Sequence, residues 1–216
     1  MLGHADDAFD FRAAKLGMSL SDFKQLPFPD AQSYTSRTGN APAIICTGHP
    51  GLDSIEILLR SRGIEQSLGV VKCLWAIQGE LKFNRTTYYA PAPINVAGTP
   101  SQQILYYFVK RPEDPESRLF RISISGMDTD HFERVAQGLK ERFGPPAQLR
   151  EETVQNRMGA KFSNTIMWWR NAYSSIYLIE RSGTIDKMAL TYRHDTLVEY
   201  VEKEKVKTEG KPSDKL

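Results

Sequence analysis

His49 and Asp53 come nearest, by type and spacing, to a catalytic pair. They share the loop Thr47-Gly48-His49-Pro50-Gly51-Leu52-Asp53. An imidazole oriented by a carboxylate can act as a general base if both lie within hydrogen-bond reach of their partners. That arrangement would make the chain a hydrolase acting in the cell envelope. No nucleophile can be named beside the pair, so no catalytic residue is assigned and the hydrolase stands as the alternative reading. The remaining histidines offer less. His4 lies near the chain start, His131 falls in the first turn of an expected helix, and His194 stands beside Asp195 as a capping residue. The chain has no Gly-x-Ser-x-Gly elbow, phosphate loop, dinucleotide fingerprint or His-Glu-x-x-His helix. No cofactor is expected. Two cysteines without a histidine at ligand spacing make no zinc set, so no metal is expected either.

The aromatic residues point to binding. Trp168-Trp169, Tyr88-Tyr89 and Tyr106-Tyr107 are adjacent pairs in strand-like runs. Neighbours on a strand face opposite ways, so each pair should send one ring inward and one outward. Trp168, Trp169, Tyr88 and Tyr106 are therefore the candidate binding residues. Exposed Trp and Tyr supply much of the energy of protein interfaces.

Cys46 and Cys73 each lie in an apolar run, 43–47 and 70–77. In an exported protein such a pair reads as a disulfide. Residues 1–7 resemble the tail of a secretory signal cut after Ala5. Both features predict a periplasmic or secreted protein. No apolar run reaches the roughly 18 residues needed to span a bilayer. A net charge of +2 over 216 residues gives no reason to expect nucleic acid as a partner, since such binding usually shows as a concentrated basic patch.

The elements that position these residues are clearest over 118–192. Residues 118–125 alternate with period two and predict a strand, stopped by Gly126. Asp130 and Glu133 fit a capping box. Phe132, Val135, Ala136, Leu139 and Phe143 fall at helical spacing. Gly144 and Pro145-Pro146 end that helix. The helix-interior Gly138 predicts a close neighbour. Strands are expected at 149–156, 162–170, 175–181 and 185–192, with a turn at 182–184. Upstream, Ser19 and Asp22 cap a short helix that Pro27 and Pro29 end. Strands are expected at 42–47, 54–60, 69–78, 86–90 and 103–110, with 54–60 equally readable as a short helix. A polar turn at 111–117 joins two strands as a hairpin, so both halves could share one sheet. Thr196 and Glu199 open a final helix, followed by a charged tail.

Gly17-Met18-Ser19 to Phe23 echoes Gly126-Met127-Asp128 to Phe132, a possible internal duplication. The helix starting at Gly-Met, the Arg142-Phe143-Gly144-Pro145-Pro146 ending and the strand meander together resemble exported bacterial proteins of unknown function. More distantly they are similar to the β-lactamase-inhibitor-protein-like superfamily. That resemblance implies an interaction module, with inhibition of an envelope enzyme as one form. The chain divides into an N-terminal segment 1–8, an α+β half 9–110 with the disulfide, a β-α-β-meander half 111–202 and a tail 203–216. The expected fold class is α+β: antiparallel sheet with short helices on one face. The expected function is non-enzymatic binding of another envelope protein.

Overall fold

The computed structural model describes residues 7–31, 41–50, 55–80, 87–101 and 103–209. The proposed signal remnant, the residues after Glu209 and Asp53 lie outside them, apart from Asp7. In chain order, β1 (Asp10–Phe11) and β2 (Ala14–Lys15) form a small hairpin, and α1 (Leu20–Phe23) follows. Next come β3 (Ala43–Cys46), α2 (Glu56–Leu59), α3 (Ile64–Ser67), β4 (Val71–Glu80) and β5 (Thr87–Pro91). A second small hairpin, β6 (Asn95–Val96) and β7 (Thr99–Pro100), precedes β8 (Gln103–Val109) and β9 (Arg118–Asp128). Then come α4 (Phe132–Phe143), β10 (Gln148–Gln155), β11 (Lys161–Arg170), β12 (Ser174–Ile179), β13 (Lys187–His194) and α5 (Asp195–Glu209).

Nine strands form one antiparallel sheet in the order β10-β11-β12-β13-β9-β8-β4-β3, with β5 also on β4. The chain leaves β9 in mid-sheet and re-enters at β10, on the edge. The link must cross three strand positions, which α4 spans. The meander β10 to β13 then walks back until β13 pairs with β9. This explains why Phe132, Val135, Ala136 and Leu139 are buried over the same core as Met167, Trp169, Ile176, Leu178, Leu190 and Tyr192. The stripe predicted for this helix faces that core. The 111–117 turn joins β8 to β9, so the sheet runs through both halves of the chain.

Two local expectations need correction. Gly126 does not stop β9, which runs on to Asp128. The glycine sits at φ 81°, where the pairing with β13 shifts register between Met188 and Leu190. A residue without Cβ lets the strand bulge there and continue. The Asp130–Glu133 capping box is also not formed: α4 follows a 3-10 turn at Thr129–His131 with no side-chain cap hydrogen bond. Asp128 is occupied by Lys187 instead. Of the two states open to 54–60, residues 56–59 take the helix.

At α1, the Asp22 N–H donates to Ser19 Oγ at 3.0 Å. The likeness between the two Gly-Met segments extends to the backbone. Gly17 has φ 85° beside 81° at Gly126, and Ser19 (φ −74°, ψ 157°) matches Asp128 (φ −74°, ψ 145°).

Helices lie on both faces of the sheet, not one. A second core joins Ile45, Leu74, Leu105, Tyr107 and Phe120 of the opposite face to Ile55 and Leu59 of the α2 segment and to Leu197, Val198 and Val201 of α5. The Cys46–Cys73 disulfide is present. The two residues are direct cross-strand partners, so the bond staples edge strand β3 to β4.

Candidate binding face

The second core stops short. None of its members belongs to β10, β11, β12 or β13. Among the described residues α5 reaches only β13 and the end of β12 on the face opposite α4, and Ile166, Trp168, Tyr177 and Ile179 are only half-buried there. Ile166 faces Ile179 and Trp168 faces Tyr177 across β11 and β12. The Trp168 and Tyr177 rings stack with centroids 5.7 Å apart. Arg170 lies over the Trp168 ring at 5.8 Å and Arg193 over the Tyr177 ring at 5.4 Å. Trp168 Nε1 is buried without a hydrogen-bond partner. An indole N–H usually finds one when it leaves water.

The row of cations continues across the sheet. Lys72, Tyr107, Arg121, Arg193, Ser175 and Arg170 are successive cross-strand partners from β4 to β11. The Arg121 guanidinium lies 3.9 Å from the Tyr107 ring centroid. Burial pushes the Tyr107 phenol up, and the charge of Arg121 opposes that rise. Asp195 neutralises Arg170 at 3.4 Å and accepts a hydrogen bond from Ser175 at 2.7 Å.

The residues selected from sequence fare differently. Trp168 and Trp169 divide as expected, one on each face. Trp169 is buried, and its Nε1 donates to the Gly144 carbonyl at 2.9 Å. It holds the end of α4 against the sheet and is not available to a partner. Tyr106 is also withdrawn from the surface: it is 1% exposed and burial raises its phenol pKa strongly. Both Tyr106 and Tyr107 are buried because β8 has a core on each side. Tyr88 is 37% exposed, but its ring occupies the space left by Gly79 on β4. It fills a gap in the sheet and stands apart from Trp168.

His49 sits with Nδ1 2.7 Å from the Pro50 carbonyl oxygen. A carbonyl only accepts, so Nδ1 carries the proton and the neighbouring backbone orients the ring. The ring also meets Tyr89 edge-on at 5.5 Å. Among the described residues no group of three or more metal-ligating side chains is gathered anywhere. No helix among them is long and apolar enough to cross a membrane.

Sequence reasoning missed Tyr177, Arg193 and Arg121. Their alternation with Ile176, Tyr192 and Ile122 was readable. Which face stays uncovered depends on strand order and on where α5 lies, and neither is a local property. Comparison with family models, with curated proteins and with solved structures found no match.

Proposed function

We propose that this chain is a non-enzymatic binding module of the periplasm, docking another envelope protein on the open face of β10 to β12. The observation that carries this reading is the Trp168–Tyr177 stack, flanked by Arg170 and Arg193 outside both cores. Trp, Tyr and Arg are the residues that most often dominate interface energies. The adjoining strand β10 supports the same reading. Among the described residues it pairs on one side only, with β11, along eight residues. Its free side can accept an extended segment by main-chain hydrogen bonding, while the adjacent face supplies side-chain contacts. Arg150, Glu151 and Glu152 keep this edge charged, which discourages indiscriminate strand pairing. The Cys46–Cys73 bond fits a compartment that oxidises thiols.

The test is site-specific photo-crosslinking in envelope preparations, with a photo-reactive phenylalanine analogue at position 168. A discrete adduct is expected from position 168 and none from position 141, which lies on the exposed side of α4. Identical products from both positions, or none from 168, would overturn the assignment.

A further inference from the structure

Beside the Trp168 surface, α3, α5 and strands β8, β9 and β13 line a cleft of about 460 Å³. That size falls within the range of small-ligand sites, roughly 300–1,000 Å³. Arg121, Arg193 and Lys205 line it together with Ser123 and Thr191; Glu65 and Glu202 are the carboxylates of the lining.

The charges do not balance locally. Arg121 and Arg193 are direct cross-strand partners on β9 and β13, a position where like charges repel. Glu65 meets Arg121 at 2.9 Å, but its other oxygen is held by Lys72 at 2.6 Å. One carboxylate thus serves two cations. No carboxylate of the described residues lies within ion-pair distance of Arg193, whose guanidinium rests over Tyr177. Arg121 Nε is buried with no acceptor, and buried donors in folded proteins are rarely left so. Ser123 and Thr191 are paired in register on the same two strands, so two hydroxyls lie beside the two guanidinium groups. Lys205 approaches from α5, on the opposite wall.

We infer that this cleft is a binding site for a small organic oxyanion, a dicarboxylate or a phosphomonoester. Arg193 and Lys205, set against Glu202, the one carboxylate of the lining without an ion pair among the described residues, leave an excess of positive charge; Arg121 supplies a further N–H donor, and Ser123 and Thr191 the neutral donors. A guanidinium matches a carboxylate or a phosphate with paired, charge-assisted hydrogen bonds. An anion there also offsets the Arg121–Arg193 repulsion, so occupancy should stabilise the fold.

The experiment is calorimetric titration of the full chain with succinate, glycerol phosphate and inorganic phosphate, at constant ionic strength set with sodium chloride. Saturable binding of at least one is expected; succinate against glycerol phosphate separates the two chemistries. Arg193→Gln and Lys205→Gln should each weaken it by about tenfold or more, while Arg150→Gln on β10 should not. Without ligand, Arg193→Gln should unfold at the same or a higher temperature than the parent, because it removes the repulsion. Three results would overturn the inference: no saturable binding of any probe, binding unchanged in Lys205→Gln, or a ligand-free Arg193→Gln that unfolds at a clearly lower temperature.

Discussion

Trp168 and Tyr177 face each other across β11 and β12 with ring planes only 13° from parallel. Such a pair contributes roughly 0.5–1.5 kcal/mol beyond the area it buries. Here it sits on the face opposite α4, beyond the edge of the second core, with an arginine over each ring. The same strands turn Trp169, Ile176 and Leu178 into the core under α4. One face of the meander is thus buried in the core under α4, and the Trp168–Tyr177 pair on the other lies outside both cores.

The Cys46–Cys73 bond closes a sequence separation of 27 residues. In the chain-entropy model its loss costs roughly 3–4 kcal/mol. Urea unfolding with and without reductant should differ by about that amount. Denatured, non-reduced protein should show no reactive thiol. Equal stability in both conditions would remove the bond from the account of the fold.

Gly138 and Ala97 should be energetically coupled. A Cβ at Gly138 would lie 3.2 Å from Ala97 Cβ, and Ala97 itself holds φ 49°, a left-handed conformation costly for alanine. Gly138→Ala alone gains helix propensity but meets that methyl group. In an Ala97→Gly background the contact is gone, and Gly138→Ala should stabilise by about 1 kcal/mol. A double-mutant cycle reads the coupling directly; strict additivity of the two changes would contradict it.

His194 should make stability depend on pH. Burial holds its imidazole below the ordinary value of 6.5, against the attraction of Asp195 and Asp114 and with the help of Arg111. Its Nδ1 is buried without a partner, and its ring lies close against Gly17. The unfolded chain therefore takes up this proton more readily than the folded one. The favourable contribution is complete above the unfolded value, declines as pH falls through it, and levels off below the folded value. Urea midpoints measured between about pH 8 and 5 should fall toward acid through this group. His194→Gln should flatten that fall. An unchanged profile in the variant would assign the dependence to other groups.

Much of this architecture was legible because it rests on local periodicity. The 3.6-residue spacing of Phe132 to Phe143 marked both α4 and its buried face, and Gly138 announced the close approach of Ala97. The bulge was not legible. Gly126 reads as a terminator in sequence, and only the register with β13 turns it into a hinge within a strand. Apolar runs as short as 55–59 satisfy both helix and strand spacing, so their state is decided by what they pack against. The aromatic pairs show the same limit for the site. One ring in and one ring out holds for Trp168 and Trp169, where a single face is covered. It fails for Tyr106 and Tyr107, where α5 and the α2 segment close the second face. The row from Lys72 to Arg170 draws on six different strands, and no one of them carries its signal.

The most direct test of the central claim is partner retention by Trp168→Ala and Tyr177→Ala on the immobilised, disulfide-bonded chain, with unfolding temperature measured alongside. The account predicts that both variants stay folded and lose the protein crosslinked at position 168, while Tyr88→Ala retains it. Undiminished retention by folded Trp168→Ala and Tyr177→Ala would contradict it.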